Sequence, residues 1–303
     1  TFPKDLGKDS FVDVIYQHIK QIEGVQWILP VPKGKGVGKL NLPNVTQVQC
    51  NISGDKIKMR SMFPEDVIKL IKKNDYDCVY SHLPDWDVGR YTNKPIIGYS
   101  HWWEMKECNG TSWLNYTLNL SHELINVLQF DVCYLNTHHQ KRLVLDNAKE
   151  VFNDTIVSKL DSILKVMNLS VNKENIVEKL LDKPVEHSWI NSSKYDKEQY
   201  LQLLSKCGVG VQPKQTHAGW SVSATDCMMR GLPMLFEEQD CYYEIDSNAN
   251  TYKGYKQFEE KMDRLLDDVE YRMECGIKGI EASHKLTQND SIKKLQKSLV
   301  VPN

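Results

Sequence analysis

Between Gly208 and Phe236 the chain reads as strand, small-residue loop, helix, Gly-x-Pro turn and strand. A helix that links two such strands makes them parallel neighbours, and parallel sheets are covered by helices on their faces. The segment therefore commits its surroundings to an α/β layer. Its loop, from Thr216 to Ser221, is built mainly of small and hydroxylated residues. Such a loop lets backbone N–H groups approach an anion, and the helix that follows points its positive end at the same place. Ser221, Ser223 and Thr225 carry hydroxyls able to donate to phosphate or ribose oxygens. Asp226 stands one to two turns into the helix, where a carboxylate can reach a ribose. Lys214, just past a strand end, can neutralise diphosphate charge.

The same alternation runs through the rest of the sequence. Helical apolar spacing covers 9–22, 64–73, 114–130, 139–151, 156–169, 172–181, 196–205, 222–230, 255–275 and 291–299. Strand patterns cover 25–31, 44–51, 77–80, 95–100, 131–136, 185–190, 208–212 and 233–236. A length of 303 residues accommodates two domains of ordinary size. The expected fold is α/β, with two Rossmann-like doubly wound domains facing a cleft. Residues 1–155 would bind an acceptor and residues 156–275 a nucleotide sugar. The C-terminal helix within 276–303 would pack back on the first domain. Doubly wound domains open on a strand, whereas this sequence opens on loop and helix, and 156–169 reads as helix where a second domain calls for a strand. Chain segments are therefore expected to be absent at the start and between about 160 and 185.

Composition excludes several classes. The formal charge is −2, so the chain is not a globally basic nucleic-acid binder. No apolar run is long enough to span a membrane. The eight cysteines are dispersed, with no CxxC pair, as in thiols of a reducing cytoplasm. The histidines, His138 and His139 included, lack metal-ligand spacing, so no metal is expected. The basic glycine loop Lys33 to Lys39 is not a P-loop, because no Ser or Thr follows Lys39. It could touch the phosphates of a polymeric acceptor.

A second set of candidates follows strand ends in the first half. Ligands in open α/β sheets bind beyond the carboxyl ends of strands. His101 and Glu104 follow the strand at 95–100, and His82 and Asp85 follow the strand at 77–80. An imidazole at His101 can hydrogen-bond a sugar hydroxyl or move a proton, and Glu104 can act on an acceptor hydroxyl. Trp86, Trp102 and Trp103 offer faces on which a sugar or base can stack.

From Gly219 to Pro233 the sequence resembles the retaining glycosyltransferases of the GT-B fold, the large family that includes relatives of the glycogen and sucrose synthases. Their donor motif reads Glu-Gly-Phe-Gly-x-x-x-x-Glu-Ala-x-x-x-Gly-x-Pro. Gly219, Trp220 and Ser221 stand at its Gly-Phe-Gly, Asp226 at its second Glu, and Gly231 and Pro233 at its tail. Ala218 replaces the first Glu, a departure at the usual contact to the donor sugar. The resemblance implies a nucleoside-diphosphate sugar as donor, a UDP-sugar foremost, with no metal required. It also implies that Asp226 holds the ribose, that His101 contacts the donor sugar, and that configuration is retained. The family's Arg/Lys pair for the leaving diphosphate has no counterpart.

More narrowly, Ser81 to Trp86, Gly98 to Glu104 and Gly219 to Asp226 look like glycosyltransferases of tailed bacteriophages. That likeness makes a 5-hydroxymethylated pyrimidine in double-stranded phage DNA the favoured acceptor. Arg60, Lys69, Lys72 and Lys73 would track its backbone, in the host cytoplasm. The rival expectations are a cytoplasmic transferase for a cell-surface polysaccharide or glycolipid, and a non-catalytic module that binds sugars or nucleotides.

Overall fold

The computed structural model describes residues 10–32, 40–50, 65–81, 88–100, 124–167, 195–214 and 221–299. Two compact units emerge. The first holds residues 12–167 and the chain from Ile292 onward, and the second holds chiefly residues 168–291.

In the first unit the amphipathic helix α1 (Ser10–Gln21) precedes strand β1 (Trp27–Pro32), which pairs in parallel with β2 (Val45–Cys50). Trp27 buries its indole among Ile19, Ile22, Ile292 and Leu295. The last two lie on the C-terminal helix α10 (Gln288–Leu299). Helix α2 (Glu65–Lys72) then leads to a sheet of four parallel strands. These are β3 (Val79–Ser81), β4 (Ile96–Ser100), β5 (Val132–Leu135) and β6 (Leu164–Val166), side by side in chain order. Helices α3 (His138–Lys149) and α4 (Asp154–Ile163) together make the crossing from β5 to β6. Ile96, Val127, Phe130, Cys133, Leu135, Val144, Leu160 and Leu164 form one core between sheet and helices. Gly98 on β4 is needed there, because a Cβ at that position would collide with the Phe130 ring.

The second unit runs α5 (Lys197–Leu204), β7 (Gly210–Gln212), α6 (Val222–Met228), β8 (Met234–Glu237), α7 (Asp240–Ile245), β9 (Thr251–Tyr252), α8 (Gly254–Asp267) and α9 (Val269–His284). Its sheet is β7-β8-β9, again all parallel. Asp196 caps α5 in a capping box with Gln199, as the first-turn acids of that helix suggest. Tyr200, Leu204, Met228, Met234, Phe236, Tyr242 and Ala282 make up the core.

Three features depart from the sequence reading. The helix expected over 156–169 ends at Ile163, and Leu164–Val166 turns into β6, paired with β5 through Cys133↔Leu164. That strand carries the first unit on to Met167, past the expected boundary at 155. The helix expected over 255–275 is two helices. Asp268 breaks it by leaving the helical backbone and capping α9 through the Tyr271 N–H. The short elements α7 and β9 had no periodic signal long enough to show. The patterns at 172–181 and 185–190 lie outside the described residues, as does most of 160–185, where missing chain was expected. No helix among the described residues is long and apolar enough to cross a membrane.

Candidate functional site

The β7–α6 crossover is present as the sequence suggested. After Gln212 the chain passes Pro213 and Lys214, and Ser221 begins α6 as its N-cap. The Ser221 hydroxyl accepts the Ser223 N–H at 3.2 Å. Both side chains are half-buried. The Tyr200 phenol of α5 is close enough to Ser223 for the serine to act on its titration. Burial raises that phenol's pKa.

Asp226 lies on the next turn, buried at 7% exposure. Burial raises its carboxyl above the usual range, and the cations Lys197 and Arg230 oppose that rise. Lys197 comes from α5, and Arg230 from just beyond α6. One Arg230 guanidinium nitrogen donates to the Asp226 backbone oxygen at 3.1 Å. Its Nε is buried with no hydrogen-bond partner among the described residues. A carboxylate in the field of two cations can accept hydrogen bonds from neutral hydroxyls, which is the chemistry a ribose diol requires.

Lys214 is exposed, two residues past the carboxyl end of β7. Its own N–H donates to Glu237 Oε2 at 3.0 Å, which ties together the ends of two neighbouring parallel strands. The ligand edge of an α/β sheet is this carboxyl edge.

No family model matches the sequence, and no curated protein matches it. Solved structures do match. Sucrose-phosphate synthase from Thermosynechococcus elongatus is 10% identical over 95% of this chain and 92% of its own, with a TM-score of 0.64. The E. coli trehalose-6-phosphate protein bound with UDP-2-fluoro glucose is 11% identical over 97% of each chain, with a TM-score of 0.63. HepE from Anabaena, in complex with UDP and glucose, is 11% identical over 84% of this chain and 85% of that one, with a TM-score of 0.55. The fold is GT-B.

Within this GT-B chain two donor candidates change role. Thr225 is 1% exposed and its hydroxyl donates to the Val222 carbonyl at 2.9 Å, so it faces the core and has no proton left for a phosphate. Gly231 has φ 71 and turns the chain after α6, at the end of the helix opposite Ser221. Its place in the motif fits that left-handed turn, which favours glycine. Lys214, Ser221, Ser223 and Asp226 remain together along one crossover. Gly219 and Trp220 fall outside the described residues, as do His82, Asp85, His101, Trp102, Trp103 and Glu104. The loop 33–39 and Arg60 do so too. The strands that lead to the first-half candidates, β3 and β4, are described and run parallel in one sheet.

Sequence reasoning did not find Lys197, Tyr200, Arg230 or Glu237. Arg230 had a readable signal, since it stands four residues after Asp226 on a helix, where i and i+4 share a face. The other three reach the crossover only through tertiary packing. Among the described residues no group of His, Cys, Asp and Glu is arranged to hold a metal. The described cysteines Cys78, Cys133, Cys207, Cys227, Cys241 and Cys275 are free thiols. A cavity of about 260 Å³ in the second unit is lined by Met228, Phe236, Asn250, Lys261 and Tyr271, among others, and none of the donor candidates lines it.

Proposed function

We propose that this chain transfers a sugar from a UDP-sugar to an acceptor hydroxyl with retention of configuration. The observation that carries this reading is the β7–α6 crossover. Lys214 follows the carboxyl end of β7, and Ser221, Ser223 and Asp226 lie on the opening turns of α6, in a fold shared with proteins solved with UDP or UDP-2-fluoro glucose, which supports this reading. In this reading Asp226 accepts the ribose hydroxyls, the amides and hydroxyls around Ser221 meet the diphosphate, and Lys214 offsets its charge. Gly219 and Trp220 complete the loop.

His101 contacts the donor sugar and Glu104 the acceptor hydroxyl, with His82, Asp85, Trp102 and Trp103 on the acceptor side. The acceptor attacks on the face the diphosphate leaves, and the departing phosphate takes its proton. The protein then supplies position and charge stabilisation, not a nucleophile.

For the acceptor we favour a 5-hydroxymethylated pyrimidine in phage DNA. The support is the phage-like sequence around residues 81–86 and 98–104, together with the exposed Lys69, Lys72 and Lys73 on and just after α2. A panel of UDP-sugars in a thermal-shift assay tests the donor, since a ligand that binds only the folded chain raises its melting temperature. Transfer to hydroxymethylated and to plain duplex DNA tests the acceptor. Binding without any turnover would make the chain a nucleotide-binding module. His101→Ala should depress turnover by more than it weakens UDP-sugar affinity, and equal losses in both would remove it from the chemistry.

A further inference from the structure

The cavity of about 260 Å³ in the second unit lies away from the donor crossover. Met228, which lines it, is the last residue of α6, whereas Ser221 caps the other end of that helix. Met234 opens β8 and Asn250 directly precedes β9, so the cavity borders the amino ends of these strands. Lys214 instead follows the carboxyl end of β7. Helices α8 and α9 close the cavity with Lys261 and Lys278 among others.

The polar groups of this cavity are unevenly spent. Asn250 is fixed through its backbone, whose carbonyl accepts the Phe236 N–H at 2.9 Å. Its side-chain Nδ2 is buried with no hydrogen-bond partner among the described residues. A buried donor left unmade costs free energy, so it marks a place where a partner belongs. Lys261 Nζ donates to the carbonyl of the next residue, Thr251, at 2.5 Å. That bond uses one of three ammonium protons and brings the cation to the peptide that joins Asn250 to Thr251. Lys261 has no acidic partner among the described residues. The second cation, Lys278, is engaged by Glu274 at 2.6 Å and also feels the charge of Asp246. Asp246 in turn accepts the Asn248 N–H at 2.9 Å. The demand left over is for an acceptor, and beside Lys261 for a negative one. Met228, Met234 and Phe236 add buried apolar surface to the lining.

We propose that this cavity is a second ligand site, built for a small organic anion: a carboxylate or phosphate head accepts from Asn250 Nδ2 and Lys261 Nζ, and an apolar body packs on Met228, Met234 and Phe236. Volume limits the ligand. Pockets for drug-sized molecules run from roughly 300 to 1,000 Å³, so this one takes nothing larger than a substituted single ring. The site stands at the opposite end of α6 from the donor crossover and does not depend on the donor reading.

The test titrates the full chain by calorimetry with benzoate, phenyl phosphate and the neutral benzyl alcohol, each with and without saturating UDP. Wild type should bind at least one of the two anions, at least about tenfold more tightly than the alcohol, the equivalent of one charge-assisted hydrogen bond. The preferred anion identifies the head group. UDP should leave that binding unchanged. Asn250→Asp is isosteric and sets a carboxylate where the donor stood, and should weaken the anion at least about tenfold. Lys261→Gln keeps a donor for the Thr251 carbonyl but removes the charge, and should weaken it about tenfold. Lys278→Gln removes a cation already engaged by Glu274 and should stay within about threefold. Absence of anion binding in wild type overturns the proposal and leaves the cavity to water. Equal affinity for the neutral alcohol overturns the anion class. Displacement by UDP places the anion in the donor site and overturns the second site, as do wild-type affinities in both Asn250→Asp and Lys261→Gln.

Discussion

The chain uses the same strand-to-helix step twice, for different ends. In the first unit β5 passes to α3 through Asn136 and Thr137 alone. Thr137 is fully buried and caps α3 by accepting the Gln140 N–H at 2.9 Å. Gln140, 1% exposed, in turn accepts the Asn136 N–H at 3.0 Å. Both acceptors serve the junction's own backbone, while Asn136 Oδ1 and Gln140 Nε2 are buried with no hydrogen-bond partner among the described residues. In the second unit β7 passes to α6 through a longer connection that carries an exposed Lys214, half-buried hydroxyls at Ser221 and Ser223, and a buried Asp226 on which the charges of Lys197 and Arg230 act. A junction that only has to turn is short and spends its side-chain acceptors on its own backbone N–H groups. One that keeps a cation, hydroxyls and a carboxylate in reserve has polar capacity beyond what its own turn consumes.

The largest effect expected from this comparison concerns the sheets beneath the two junctions. Gly98→Ala places a methyl against the buried Phe130 ring, with Cys133 Sγ 3.1 Å away, and should cost about 2 kcal/mol in chemical denaturation. Gly210→Ala meets the thioether end of Met234, which can swing aside, and should cost clearly less. Equal costs would mean that the two sheets are packed with the same rigidity.

Next in size is Asp226. Asp226→Ala should weaken UDP binding about tenfold, for the loss of a charge-assisted hydrogen bond to ribose, and unchanged affinity would end that assignment. The pH dependence has a definite sign. Burial raises the Asp226 carboxyl in the folded chain above its ordinary value of 3.8. Its ionised form is therefore disfavoured by folding, and it costs stability at pH values above the folded pKa. The cost disappears as pH falls through that pKa towards 3.8. UDP affinity should move the opposite way, falling as Asp226 takes up its proton at a pH above the usual carboxylate range. Asp226→Asn should bind UDP weakly at every pH, and at neutral pH it should be no less stable than wild type.

The smallest effect separates the two caps. Thr137→Ala and Ser221→Ala each remove a side-chain acceptor from a helix start and should each cost about 1 kcal/mol. Only Ser221→Ala should also weaken UDP binding. If both variants bind UDP as wild type does, the opening of α6 is no more than a turn, like the opening of α3.

Much of this architecture was legible because it is local. Helix α1 shows in the spacing of Val14, Ile15, Ile19 and Ile22, and β2 in the alternation from Val45 to Cys50. The donor crossover shows in the spacing of Gly219, Asp226, Gly231 and Pro233. Periodicity failed where length did. Leu164–Val166 is three residues long and continues the apolar pattern of α4, so nothing local separates strand from helix. Within the site, the spacing singled out Asp226 but could not show that Thr225, its neighbour, points into the core.

The amino-acid order alone determined the parallel α/β class, most element positions, and the small-residue loop followed by a helix that carries a carboxylate. Those follow from backbone geometry within a few residues, which sequence encodes directly. Tertiary structure alone decided that the charge of Lys197 acts on Asp226, that Thr225 is buried, and that Glu237 receives the Lys214 amide. Lys197 and Glu237 lie far from their partners along the chain and meet them only because parallel strands align their carboxyl ends and helices pack across them.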